Sequence, residues 1–463
     1  MILEKARELK ENGDLYNAEA VLKKYHTAVP KDFDATWLYA QTAAQNKNYD
    51  MAILIYQEAL ALRPRNYDLK LDFAQMLMKI NEFDMADTLA DQCLRNNPEL
   101  VDALIIKAKT QYRLGEYDET SVKLSKILKS QPENPDALYM KESITTLKRS
   151  WLKFDFSYFE DSQPLQRYLP VLQGGVYLGG SSTMYGKIQS AIFQKENSNK
   201  NVYSIELGST TIFGEYDIDF TIAAGVIKFP EVSPLLTGKL SLDRRIERNF
   251  IFSVYGEREP YLLTRASVDT SLMVNTFGTS LVLKSKEDWA TMGKVEVKMF
   301  DKENLIYTFY ANLLSPQIKY SDFDIKLGYG FGYNGSKLDK FTQKGRTLAG
   351  EYKPYFSPQT EFVNWGIASV ILQPRKDFQA ELNINYGFFT SAERPYFYLQ
   401  TDSIGRVSTE KAFIKESFSP LDVNLLFLIQ ASEKISLTGE FNYSKTFFYT
   451  RRFFGAGMRI NFK

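Results

Sequence analysis

Four sets of residues recur every 34 positions over the first third of the chain. Pro30, Pro64, Pro98 and Pro132 form one column, and Ala6, Ala40, Ala74 and Ala108 a second. Ala18, Ala52 and Ala86 form a third, with Thr120 in the fourth place. Leu15, Tyr49, Phe83 and Tyr117 keep the same step. A period of this length means stacked supersecondary units, each too small to bury its apolar face alone. Small residues in two columns let paired helices approach closely. The aromatic column follows turn residues such as Asn12-Gly13 and Gly115, so it opens a second helix. The proline column closes each unit, because proline cannot continue a helix. Residues 1–149 are therefore expected to be an all-α solenoid of four repeats, with Asp136 to Arg149 as a capping helix.

This period resembles the tetratricopeptide repeat. Such arrays expose a concave groove, so the resemblance implies that residues 1–149 bind protein partners. Cys93 falls in the column of Tyr25, Ala59 and Ile127, and His26 in that of Leu60, Leu94 and Leu128. Both are packing positions by their neighbours in the column.

After Ser150 the period changes to two. Trp151-Leu152-Lys153-Phe154-Asp155-Phe156-Ser157-Tyr158-Phe159 alternates, and similar segments recur to the end of the chain. The last, Phe453 to Phe462, has one apolar face and ends on an aromatic one position from the carboxyl terminus. Outer-membrane β-barrels usually end this way. Roughly 310 residues at about 20 per strand and connection predict about 16 antiparallel strands over residues 150–463. A closed sheet is the one β-structure that satisfies its backbone in lipid. The 33 Phe and 29 Tyr, mostly after Trp151, suit the aromatic girdles of such a barrel. No apolar run approaches the length of a membrane-spanning helix. A chain bound for the outer membrane needs a leader, and Met1 runs straight into Ile2-Leu3-Glu4. The leader is expected to have been removed or to lie upstream.

Charge is balanced, Lys+Arg 57 against Asp+Glu 56, which argues against a nucleic-acid partner. Cys93 is the sole cysteine and His26 the sole histidine, both in the repeats. A triad, a Cys-His pair or a histidine metal site in the barrel is thus excluded. No spacing of carboxylates singles out a hydrolytic pair. The expectation is no catalytic residue, no metal and no cofactor.

Two segments go beyond alternation. One is Tyr255-Gly256-Glu257-Arg258-Glu259-Pro260-Tyr261-Leu262-Leu263-Thr264-Arg265. The other is Gly350-Glu351-Tyr352-Lys353-Pro354-Tyr355-Phe356-Ser357-Pro358-Gln359. Both resemble signatures in the carboxyl-terminal barrel of the outer-membrane component of bacterial cellulose synthase. That exopolysaccharide-export family also places tetratricopeptide repeats before its barrel, in a far longer array. The smaller YaiO-family outer-membrane proteins share the same architecture and compete for the likeness. The resemblance implies an outer-membrane channel for a secreted polysaccharide, with a periplasmic array that recruits synthesis or modification partners. The alternative is a plugged barrel that anchors a periplasmic scaffold for an envelope or secretion complex. The C-terminal strand would meet the barrel-assembly machinery, and lipid would surround the barrel. Tyr255, Arg258 and Glu259 of the first segment, and Tyr352, Tyr355 and Phe356 of the second, are expected to line the path of the polymer. Tyr355 and Phe356 would stack on sugar rings or shape a plug loop. Arg244-Arg245 and Arg451-Arg452 are expected at the rim.

Overall fold

The computed structural model describes residues 2–462 apart from 163–164, 196–197, 248, 286–287, 301–303 and 447–448. The chain divides into two compact units, Met1–Leu147 and Lys148–Lys463.

The first unit contains nine helices among the described residues. They are α1 (Ile2–Glu11), α2 (Leu15–Ala28), α3 (Phe33–Gln45), α4 (Tyr49–Leu62), α5 (Tyr67–Lys79), α6 (Phe83–Leu94), α7 (Val101–Arg113), α8 (Tyr117–Ser130) and α9 (Pro135–Lys148). Each aromatic or leucine of the fourth column is the first residue of an even-numbered helix. Asp14, Asp32 and Asn66 precede α2, α3 and α5, and their side chains accept hydrogen bonds from Asn17, Ala35 and Leu69 N–H. Such caps satisfy donors that the first turn leaves orphaned. The alanine columns are wholly buried, from Ala6 and Ala18 to Ala86 and Ala108. Thr120 takes the fourth place at no exposure, its hydroxyl returned to Glu116 O. A side chain no larger than threonine's is what the close helix contact has room for. Cys93 is fully buried, and burial pushes its thiol pKa up, as suits a packing residue.

The second unit is a sheet that closes on itself. Its staves are β1 (Trp151–Asp161), β2 (Gln166–Gly179), β3 (Ser182–Lys195), β4 (Ser198–Phe213), β5 (Ile218–Lys228), β6 (Leu235–Glu247), β7 (Phe250–Pro260) and β8 (Met273–Lys284). There follow β9 (Ala290–Phe300), β10 (Asn304–Leu314), β11 (Phe323–Ser336), β12 (Thr360–Arg375) and β13 (Phe378–Thr401). The strand β14 is broken, Val407–Phe418 then Leu421–Gln430, and both pieces pair with β13. Last come β15 (Ile435–Lys445) and β16 (Thr450–Asn461). Each stave is antiparallel to the next, and β16 pairs with β1 from Trp151↔Asn461 to Asp161↔Arg451. Among the described residues the staves number sixteen, against the about 16 expected from alternation.

Closure leaves the described staves without a free sheet edge of the kind an open sheet has. Alternation then sends one side chain in and the next out. Leu152, Phe154 and Phe156 of β1, Ile205 and Leu207 of β4, and Phe277 of β8 lie on the outward face and are exposed. Leu207 is 62% exposed, a waste in water and a gain against hydrocarbon. Asn334-Gly335-Ser336 reads as a turn in the sequence, but it lies within β11, paired to β10 and β12. The upper half of β13 and the first piece of β14 run on together as a long hairpin. It begins where Phe389 takes a left-handed φ of 50° and Pro420 interrupts β14.

Candidate functional site

The inward wall near mid-barrel is polar, and several of its charges are paired. Lys187 Nζ lies 3.0 Å from Glu206 Oε1, which also accepts from Tyr185 Oη at 3.2 Å. Glu296 sits between Lys294 and Lys298, with Lys298 Nζ at 3.0 Å, and accepts from Tyr255 Oη at 2.9 Å. Lys153 meets Asp155 at 3.0 Å. Alternation explains this. On β7, Tyr255, Glu257 and Glu259 share one face, and their partners on β8, Gly278, Thr276 and Val274, are buried. A cavity of about 520 Å³ lies against this wall, lined by Tyr185, Lys187, Glu206, Lys239, Glu257 and Glu259, among others.

Arg258 does not join them. It stands one residue off, so it points outward with Val254 and opposite Asn275. Its guanidinium donates to Leu236 O at 3.2 Å and Asn275 Oδ1 at 3.1 Å. The expectation that Arg258 lines the path is corrected by strand parity: one residue of offset reverses the face. For the same reason Arg258 cannot pair with Glu259. Of the expected rim charges, Arg245 binds Asp219 at 2.6 Å and Arg452 binds Glu160 at 3.1 Å. Arg451 is inward-facing, opposite Ser444 and Asp161.

Sequence reading missed the aromatic rings of the wall. Tyr310 on β10 and Trp365 on β12 are inward-facing, half-buried and stacked, with centroids 5.5 Å apart and planes 25° apart. The strand between them, β11, carries Gly328, Gly330 and Gly332 on the same inward face. A Cβ at Gly330 would lie 2.3 Å from Trp365 Nε1, and one at Gly332 2.7 Å from Trp365 Cη2. The indole therefore lies flat on bare backbone. Tyr185 over Gly208 and Tyr255 over Gly278 repeat the arrangement. Glycines at alternate positions of one strand were the available signal. We predict that Gly330→Val lifts the indole off the wall into the lumen. The tryptophan emission should move to longer wavelength, and the difference should vanish in a Trp365→Phe background.

The other expected residues lie at the far end, away from Trp151 and Asn461. The segment between β7 and β8 turns inward and forms a short helix, α10 (Arg265–Asp269), capped by Thr264. Leu262 and Val268 are buried against the inward side chains Phe159, Phe193, Val202, Ile227 and Phe229. Arg167 donates to Leu262 O at 2.9 Å, with its guanidinium 5.1 Å from the Phe159 ring centre. The segment between β11 and β12 meets it. Tyr355 is wholly buried, stacked on Phe300 at 3.9 Å and edge-on to Tyr261 at 6.3 Å. Its hydroxyl accepts from Asn304 Nδ2 at 3.0 Å. Asn304 also fixes Leu338, accepting from its N–H at 2.8 Å and donating to its carbonyl at 2.9 Å. Thr264 Oγ1 donates to the Pro354 carbonyl, so the two segments are tied. Tyr352 packs edge-on to Phe356 at 4.9 Å and to Phe341 at 5.1 Å. Phe341 in turn stacks on Phe397 of the long hairpin at 5.7 Å. Tyr352, Tyr355 and Phe356 are thus parts of an inserted plug.

In the array, one polar cluster is organised on Asp72. It accepts from Trp37 Nε1 at 2.6 Å, Gln41 Nε2 at 2.8 Å and Tyr56 Oη at 2.9 Å. A cavity of about 180 Å³ beside it is lined by Gln41, Gln45, Tyr49, Gln75 and Lys79, among others. Residues 3–67 match the tetratricopeptide repeat family. The helical unit is a tetratricopeptide-repeat array. Among solved structures, a bacterial polysaccharide outer membrane secretin aligns at 11% identity over 68% of this chain and 99% of its own, with a TM-score of 0.49. A tetratricopeptide repeat protein from Parabacteroides merdae aligns at 20% identity over 32% of this chain and 58% of its own, with a TM-score of 0.30. YrrB, a repeat protein with an unusual peptide-binding site, aligns at 18% over 32% and 76%, with a TM-score of 0.29. No curated protein matches the chain in sequence.

Proposed function

We propose that the barrel is a gated outer-membrane channel for export of a secreted polysaccharide, held closed at rest by the plug. The repeat array, on the periplasmic side, recruits proteins that synthesise or modify the polymer. The observation that carries this reading is the lumen wall, with flat aromatic rings over glycine and several of its charges paired in place. A ring face binds the apolar face of a sugar, and paired charges offer hydroxyls hydrogen bonds without a strong net field. Contacts of this kind are weak and repeated, as a moving chain requires. The function is conduction, with no chemical step. Lipid surrounds the barrel, and the C-terminal strand is its contact with the assembly machinery.

The test is single-channel current through a variant with the plug segment 262–271 shortened. Uncharged oligosaccharides should block it. Trp365→Ala should weaken the block by roughly threefold to tenfold, the worth of one aromatic stack. Block that is absent, or that Trp365→Ala leaves unchanged, would sink the sugar path. A second reading rests on the buried plug: a barrel that never conducts and serves to anchor the array. That reading requires every plug variant to stay silent while folded.

A further inference from the structure

We propose that the outward rim at the far end of β5–β8 binds the phosphates of an anionic membrane lipid, with Arg258 and Lys228 as its cationic ligands. Arg258 closes the outward face of β7, and Lys228 closes that of β5. Neither has a carboxylate at ion-pair distance among the described residues. Arg258 uses two N–H groups on Leu236 O and Asn275 Oδ1, and Lys228 Nζ donates to Val232 O at 2.5 Å. Guanidinium carries five N–H donors, so most of its fork is left over. Several other cations of the barrel are paired. Lys153, Lys187, Lys294 and Lys298 on the inner wall each meet a carboxylate, and outward Arg452 at the same end has Glu160.

The surroundings say what would supply the missing charge. Leu236 lies between the two strands at 71% exposure, and Val226, Leu240 and Phe277 continue an apolar face toward mid-barrel. Tyr203 stands directly opposite Lys228, outward and exposed. Unmatched cations at the upper border of a lipid-facing apolar band sit at headgroup depth, where phosphates are the available anions. Arginine's planar fork suits a phosphate, and the acyl chains would run down the apolar face. The cations are two strands apart, at least roughly 10 Å at the spacing of neighbouring strands. With the cations on strands two apart, a lipid that carries two phosphates on an extended headgroup gives each of them its own anion.

Native mass spectrometry of the full-length protein in detergent tests this, with diphosphoryl lipid A as probe. The expected result is a one-to-one adduct that survives detergent removal. Arg258→Gln and Lys228→Gln should each cut the retained fraction about fivefold, the effect of one basic residue at an anionic surface. Arg452→Gln, which removes an already paired cation, should leave it unchanged. Retention of dephosphorylated lipid A to the same degree would overturn the proposal, since apolar contact alone would then suffice. Equal retention by the double variant would overturn it too. Binding of inorganic phosphate without retention of the lipid would reduce the patch to an anion site and refute the lipid. Heat-modifiable migration in gels shows that each variant barrel is folded, so a lost adduct reports the site.

Discussion

Replacing residues 262–271 with a short Gly-Ser linker should raise conduction through the barrel sharply. The segment carries Leu262 and Val268 into the lumen, against Phe159, Phe193 and Phe229. It also provides Thr264, whose hydroxyl holds the Pro354 carbonyl of the second plug segment. Removing it takes out half of the plug and the tie to the other half. The staves are untouched, because β7 and β8 pair from Phe250↔Leu283 to Pro260↔Met273 without it. A barrel of this strand number leaves an aqueous lumen, so single-channel conductance should rise roughly tenfold or more over the intact protein. Tyr355→Ala should act in the same direction and less completely. It removes the ring stacked on Phe300 and leaves Asn304 Nδ2 with one acceptor fewer. Unchanged conductance in both variants, each still folded, would leave the anchored, non-conducting barrel as the better account.

The second large effect is expected in the array. Leu77 of α5 is fully buried in a core cluster that runs from Ala6 in the first repeat to Ile106 in the fourth. Leu77→Ala should cost about 2–5 kcal/mol, transfer and cavity together. For a unit of this size that lowers the melting temperature by roughly 5–20 °C. Helical repeats lean on their neighbours, so the loss spreads along the array and is not confined to one helix pair. Circular dichroism at the helical minimum should report the earlier melt. The heat-modifiable gel shift of the barrel should stay where it is, since the two units have separate cores. A common shift of both transitions would show that they fold as one.

Charge holds the polar side of the array. Lys107 lies between Asp87 and Asp91, with Nζ 2.9 Å from Asp91 Oδ2. Burial alone would lower its pKa, but the hydrogen bonds and charges of the two carboxylates outweigh it and hold the pKa above the ordinary value. The ammonium is therefore more favoured in the folded array than in the unfolded chain. Its contribution is complete below the ordinary lysine pKa and fades as pH rises through the raised one. At neutral pH the pair is fully present, which fits a role in fixing α6 against α7.

Much of this protein is local pattern, and local pattern is legible. The 34-residue columns place the helices because each column is a steric requirement repeated four times. Period-two alternation gives the staves and their number because every strand in lipid must be apolar on its outer face. What alternation does not give is parity where both faces are charged. In Glu257-Arg258-Glu259 nothing local says which side meets water, and the registry with Gly278, Thr276 and Val274 on β8 decides it. The wall of aromatic rings is likewise a fact about neighbouring strands. Gly330 and Trp365 are 35 positions apart, and only the β11–β12 register lays one on the other. The plug is tertiary for a different reason. Residues 261–272 and 338–358 have no period, and their burial comes from the ends of strands far away in sequence, such as Phe159, Phe300 and Asn304. Residue order was enough to specify a tetratricopeptide array followed by a sixteen-stave barrel. What faces the lumen and what fills its mouth came from the folded arrangement, because those depend on which strands close beside which.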